Sequence, residues 1–559
     1  MKKILAIMLS MAMLAAMLVG CSSEPAATAE TQAPAATTAA AQAVAATQAS
    51  TEAASENPDT WLCDEKTTIT VLTYDATNAT IPTASNDLKF WQWLEDRTNV
   101  HVEFEIVPYA GYDEVVSTRV ASATDLPDIV VTRDFNTANN AGKNGIFVNL
   151  SEYWDTCFQN TENYFKGQGQ DYRALIKNED QSCYCLVGTV EPVENHLVLM
   201  YNTEWLKKVG KEVPKTLDEF TELLKAWKAA GDLNGNGEDD EVYLAGTSYQ
   251  RHFASVINNI FGLNSYNGWD QFAVDANGKV FPEYTSENQK AYLKYMAELY
   301  KEGLVDPEIT ASSTDILSEK IAADRVGSFV YYSSFAVTYG QLTTAGQADP
   351  LAEHFTLGVP LASQYNGNQG YYVRREMANQ DPTCINAESA NIELACKWLD
   401  VLFADPVVLR TRSCGFEGVD YDVNADGTLS YHYQADGTLR DISQDGCGQI
   451  SFAYIQTKEQ MIDSMRPYQW YMDEYDDLRA NYKWVAPQIT QVAAFTDAEQ
   501  EKLDEVKTDC NDYYEKMRDK FITGAADVDA EWEEYCSNLE KLGLSTWTEV
   551  WQSVYDRTK

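Results

Sequence analysis

The residues with the most defined chemistry lie in a short acidic loop, Asp232-Leu-Asn-Gly-Asn-Gly-Glu-Asp-Asp-Glu241. Side-chain oxygens recur at its first, third and fifth positions, Gly237 stands where the chain must turn sharply, and Asp240 and Glu241 follow. A hard cation such as calcium needs that crowding of oxygen ligands. An EF-hand would close the shell with a bidentate Glu at the twelfth position, but Tyr243 stands there. The residues alone leave two readings open, a calcium loop and a metal-free turn built on Asx side chains. Asp422, Asn424 and Asp426-Gly427 carry half of such a pattern; with nothing acidic to close it, they read as a hairpin turn.

Covalent catalysis finds little to work with. The chain has no GxSxG, HExxH or phosphate-binding Gly-rich loop, and its five His are scattered at 101, 196, 252, 354 and 432. Among 85 acidic residues, carboxylate pairs suited to glycoside hydrolysis occur by chance, so a surface glycosidase is the rival from the enzyme class. Of 11 cysteines none forms a CxxC pair. Cys183-Tyr184-Cys185 places two thiols on one strand face, but no neighbouring pair completes a zinc site, so buried thiols or disulfides are expected.

The elements that must position any site follow from periodicity. Ile69 to Leu72 reads as a strand, Leu88, Trp91 and Leu94 as one helix face, and Val102 to Val107 as a second strand. A helix from about Asp113 then leads to the apolar strand Ile129 to Val131. Strand, helix, strand, helix, strand indicates an α/β fold with a mainly parallel sheet. Thr216 and Glu219 form a capping box for a helix whose Leu217, Phe220, Leu223, Leu224 and Trp227 share a face. Open α/β sheets bind ligands beyond the carboxyl ends of their strands. That places Tyr74, Asp75 and Asn78, then Arg133 and Asp134, at the candidate site.

Charge and the N-terminus bound the setting. With 42 Lys and Arg against 85 Asp and Glu, a net charge of −43 opposes binding to nucleic acid or to anionic lipid. Lys2 and Lys3 precede an apolar run from Ile4 to Leu18, the order of a secretory signal and too short for a confident membrane span. Residues 22–60, rich in Ala and Thr and poor in branched apolar residues, read as a disordered tether, with folding expected from about Trp61. Leu18-Val-Gly-Cys21 resembles the lipobox of bacterial lipoproteins, which implies cleavage after residue 20 and lipidation of Cys21.

Several stretches, in shared order, resemble the extracellular solute-binding proteins of bacterial ABC importers, in the sugar-binding branch related to maltose- and alginate-binding proteins. They include Glu95-Asp-Arg-Thr-Asn-Val100, Ala121-Ser-Ala-Thr-Asp-Leu-Pro-Asp-Ile129, Tyr201-Asn-Thr-Glu-Trp-Leu206, Pro214-Lys-Thr-Leu-Asp-Glu-Phe220, Leu299-Tyr-Lys-Glu-Gly-Leu-Val-Asp-Pro307 and Gly415-Phe-Glu-Gly418. The resemblance implies a two-lobed fold, a ligand cleft between the lobes and several hinge crossings. The first lobe is expected over 61–190 plus about 371–440, and the second over about 191–370 plus 441–559. It further implies a monomeric receptor, not an enzyme, that is held by lipid on the outer face of the membrane. The receptor would pass a carbohydrate, expected to be an oligosaccharide, to permease subunits; a peptide receptor of the same fold is the alternative. On the match to the alginate-binding loop, the ligands of a structural calcium are Asp232, Asn234, Asn236, the carbonyl of Glu238, Asp240 and Glu241. Gly327-Ser-Phe-Val-Tyr-Tyr332 stands where maltose-binding relatives carry a stacking aromatic, so Tyr331 or Tyr332 is the expected platform. Sugars suit aromatic faces flanked by carboxylates, amides and guanidinium groups. Tyr249, His252, Tyr372, Arg374, Glu417, Trp470 and Tyr471 are further candidates of those types.

Overall fold

The computed structural model describes residues 59–75, 84–167, 169, 171–178, 180–190, 197–247, 252–263, 270–373, 380–448, 450–457, 465–485 and 495–558. Cys21, Asn78, Tyr249 and Arg374 lie outside them, as does the side chain of His252.

Two hydrophobic cores organise the body. The first surrounds a six-stranded sheet ordered Ile455–Gln456, Leu186–Val190, Gln380–Ile385, Ile129–Val131, Thr67–Asp75 and Val100–Pro108. The three N-terminal strands are parallel, as their alternation with helices requires. Gln380–Ile385 then runs antiparallel to both of its neighbours, making the sheet mixed. Val71, Leu72 and Ile129 to Val131 are fully buried, the mark of strands covered on both faces. Trp91 stacks on Trp398 at 6.4 Å, joining a helix from near residue 90 to one from the return segment.

The second core surrounds a four-stranded sheet ordered Phe355–Leu357, Leu197–Asn202, Val326–Tyr332 and Val242–Gly246, together with the C-terminal helices Asp497–Thr523, Val528–Leu542 and Leu544–Thr558. Helix Leu217–Ala230 buries the stripe Leu217, Phe220, Leu223, Leu224 and Trp227. Its N-cap Thr216 accepts from the Glu219 amide as expected, but the Glu219 carboxylate reaches the amide of Lys215 rather than that of the cap residue. Trp227 meets Trp205 edge to face at 5.8 Å, and a Cβ on Gly327 would lie 2.7 Å from Trp205 and 3.0 Å from Trp227. That close approach is why a glycine sits inside a buried strand.

The chain passes between the cores within 190–197, 373–380 and 456–465. The lobe limits therefore differ from the expected ones. Tyr372 belongs to the second core, and Cys447, Ile450, Phe452 and Ile455 belong to the first, because Ile455–Gln456 pairs in parallel with Leu186–Val190. Composition does not show that pairing, since the strand is two residues long. No helix among the described residues is long and apolar enough to cross a membrane.

Candidate functional site

The first lobe builds its part of the site at the carboxyl ends of two neighbouring parallel strands. Tyr74, next to last in Thr67–Asp75, is buried, and its hydroxyl donates to Asp381 Oδ1 at 2.6 Å. Arg133 follows strand Ile129–Val131 in a left-handed conformation, φ 56°. Its guanidinium lies 4.0 Å from the Tyr109 ring centre and 5.0 Å from that of Tyr74, and donates to Asp113 Oδ1 at 2.9 Å. The Tyr112 hydroxyl, bonded to the carbonyls of Leu72 and Val131, ties the two strand ends together below them. Asp134 is spent locally: its carboxylate accepts from the Thr137 amide and hydroxyl and caps helix Phe135–Lys143. Among the described residues, Asp75 Oδ1 is buried with no hydrogen-bond partner.

Asp381 has no counterpart among the expected site residues. It sits near the start of Gln380–Ile385 with φ 47° and meets Tyr74 across 307 residues of chain. Burial pushes its carboxyl up to about 6, against the opposing pull of the Tyr74 hydroxyl and of Arg133. Only its place after a hinge crossing could have pointed to it.

The second lobe's expected platform divides. Tyr331 is buried, its ring 4.4 Å from Phe335 and 5.5 Å from Tyr339, so it is a core residue. Tyr332, on the opposite face of the strand, is half-buried at its end, paired in register with Leu197. Four other candidates differ from expectation in part or whole. Tyr372 packs its ring on Trp484 at 5.0 Å and donates its hydroxyl to the carbonyl of Gly358, which leaves it no free face or polar tip. Tyr471 is buried parallel to Tyr475, with its hydroxyl 3.0 Å from that of Ser333. Trp470 donates its indole N–H to the carbonyl of Leu351. Glu417 is exposed on a first-lobe turn beside Phe416 and does not join the strand-end cluster. Both lobes also line a cavity of about 320 Å³ beside the last crossing, with Gln341 and Tyr468 facing Tyr431 and Arg440.

In the acidic loop, Asp232 accepts from the amides of Gly235, Asn236 and Gly237. The side-chain amides of Asn234 and Asn236 both converge on Asp240 Oδ1 at 3.1 Å, while Asp240 Oδ2 pairs with Arg325 at 3.0 Å. Glu241 Oε1 accepts from the Leu233 amide, and Glu241 Oε2 is buried without a partner. These bonds make a turn held by its own backbone. Among the described residues no cluster of three or more His, Cys, Asp or Glu is arranged to hold a metal. The donor set still matches the oxygen-rich chemistry of a hard cation, because side chains of the third, fifth and ninth positions meet at one point, although the Asn234 and Asn236 oxygens accept from the amides of Asn236 and Glu238.

Comparison with known proteins decides what this architecture is. A family model described as bacterial extracellular solute-binding protein matches residues 77–408. The chain belongs to that family. This solute-binding protein is 25% identical over 529 residues to the fructooligosaccharide ABC transporter substrate-binding protein FusA of Streptococcus pneumoniae serotype 4, covering 89% of this chain and 92% of the relative. Its fold matches that of the alginate-binding protein AlgQ2 solved without calcium ion, at a TM-score of 0.70 and 22% identity over 89% of this chain and 99% of the other. It matches equally the S. pneumoniae FusA EF-hand mutant in complex with fructo-nystose, with a TM-score of 0.70 and 22% identity over 88% and 99% of the two chains. The two cores are thus the two lobes of a solute-binding protein, with the strand-end cluster in the first and Tyr332 in the second.

Proposed function

We propose that the protein captures an oligosaccharide outside the cell and delivers it to an ABC importer, without chemistry on the solute. The observation that carries this reading is its near full-length relation to FusA, a substrate-binding protein for fructooligosaccharides. Contacts from both lobes would stabilise the closed state over the open one, and closure would present the docking faces to permease subunits. Tyr332 would stack on a sugar ring, while Asp75 and the Tyr74, Asp381 and Arg133 cluster would meet hydroxyl edges. The signal-like start and Cys21 support a lipid anchor on the outer membrane face. Asp232, Asn234, Asn236, Asp240, Glu241 and the carbonyl of Glu238 would hold calcium, which supplies rigidity to the loop and takes no part in binding the sugar.

Thermal unfolding tests the reading, since a ligand that binds only the native state raises stability with the logarithm of its excess over Kd. Fructooligosaccharides and other glycans are expected to raise Tm, and Tyr332→Ala to weaken the responding sugar by about tenfold or more, on the order of 1.4 kcal/mol. A shift with peptides alone would keep the fold and replace the solute, whereas hydrolysis of the glycan would move the protein to the glycosidases. Calcium should raise Tm in the wild type and not in Asp232→Ala; equal shifts in both would remove the loop as the metal site.

A further inference from the structure

The first lobe is made of two stretches of chain separated by the whole second-lobe insertion, and four of its cysteines lie in pairs across that division. Cys185 immediately precedes strand Leu186–Val190, and Cys384 lies in Gln380–Ile385. These strands are antiparallel with Leu186 opposite Thr383, so the next step of the register sets Cys185 opposite Cys384 on the same face of the sheet. The two thiols are near enough for the Cys384 side chain to help hold the Cys185 thiol above its ordinary pKa, behind the larger effect of burial. Opposed residues of an antiparallel pair have Cα atoms about 4.5–5.5 Å apart. A disulfide spans about 4.4–6.8 Å between Cα atoms, so no backbone movement is needed. The second pair joins helices. Cys157 ends helix Trp154–Cys157, and its sulfur lies 4.0 Å from the carbonyl of Glu393, one turn before Cys396 on helix Ile392–Ala404. Cys396 lies three residues beyond Glu393 on the same side of that helix, which sets it beside Cys157. All four side chains are buried. In the second lobe, Cys510 is instead directed at the carbonyl of Leu539.

We propose that Cys157–Cys396 and Cys185–Cys384 are disulfide sites that clamp the two chain segments of the first lobe together. The bridges stand reduced in this structure. Oxidation of each needs removal of two electrons and two protons, which an exported protein can pass to a disulfide-bearing oxidant. One thiolate attacks the oxidant's disulfide and expels a thiol; the second protein thiolate attacks the mixed disulfide, closes the bridge and releases the oxidant's other thiol. The native positions are sealed, and burial holds the thiols of Cys185 and Cys396 up, so exchange in the finished lobe is slow. Closure therefore belongs to the stage at which the return segment docks on the first. The role follows from topology. Each bridge links residues on opposite sides of the second-lobe insertion, so strain during lobe opening could not peel strand Gln380–Ile385 or helix Ile392–Ala404 from the lobe.

Peptide mapping of the full chain tests this. The protein is recovered from the cell surface with iodoacetamide and without reductant, and a second sample is refolded with oxidised and reduced glutathione. Linked peptides pairing Cys157 with Cys396 and Cys185 with Cys384 are expected, with Cys63, Cys510 and Cys536 alkylated. Cys396→Ser should lose the first link and keep the second. Alkylation of all four cysteines in the refolded sample, or links to other partners such as Cys183, would overturn the assignment. Dithiothreitol should lower the melting of the first lobe; linked protein whose melting ignores the reductant would overturn the clamp.

Discussion

The two lobes solve different problems with different residues. The first gathers its site from chain segments far apart: Tyr74, Arg133 and Asp381 meet only because Gln380–Ile385 returns across a hinge to pair beside Ile129–Val131. The second is dominated by aromatic packing, with Trp205, Trp227, Tyr284 and Trp547 in its core and three C-terminal helices as a buttress. The contribution proposed for it is a half-buried Tyr332 at a strand end. The proposed recognition in the first lobe would thus use polar atoms positioned by distant parts of the chain. The second depends on the position of a ring, which a well-packed core supplies. Substitutions in the two lobes should accordingly separate affinity from stability.

Trp227→Ala gives the largest expected effect. It empties a fully buried site against Trp205 and should cost about 3–5 kcal/mol, read as an earlier melting transition by calorimetry. The first lobe's melting and the sugar contacts of its strand ends should survive; a loss of affinity without loss of stability would break the comparison.

A smaller effect comes from pH. Glu474, on helix Gln469–Asn481, accepts from the Leu357 amide, and burial pushes its carboxyl up to about 7 from the ordinary 4.5. Because the folded state holds this proton more tightly, its contribution is complete below about 4.5 and is lost as pH rises through about 7. Glu474→Gln should therefore gain on the wild type by on the order of 3 kcal/mol as pH rises between those limits, seen in denaturant unfolding at several pH values. Asp381 has the same sign in the first lobe, over the window from 3.8 to about 6. Identical pH profiles for the Glu474→Gln variant and the wild type would remove the second-lobe term.

Tyr74→Phe should have the smallest effect on stability, about 1 kcal/mol, since it removes one hydrogen bond to Asp381 and no ring. Sugar affinity measured by calorimetric titration should fall all the same, because Asp381 and Arg133 lose the group that spaces them. Unchanged affinity would place the polar cluster outside the binding surface.

Much of this was legible in the residues. Ile69 to Leu72, Ile129 to Val131 and the stripe from Leu217 to Trp227 announce their elements through periods set by local geometry, and Tyr74, Asp75 and Arg133 do stand at or just past strand ends. Asp134 stands at the neighbouring strand end too, but a carboxylate at that spacing caps its own helix. Aromatic candidates fared worse. Tyr331, Tyr372 and Tyr471 are chemically the same as Tyr332, and a chain with 33 Tyr and 13 Trp gives no local sign of which ring faces solvent.

The sequence by itself determined the α/β class, the helix stripes, the composition of the acidic loop and the secretory-like start, because each depends on neighbours within a few residues. Tertiary structure alone decided that Asp381 meets Tyr74, that the first lobe reclaims the chain as far as Gln456, and that Cys185 faces Cys384. Those relations are set by sheet register and by the burial of two cores, which bring together positions hundreds of residues apart and leave no trace in the spacing along the chain.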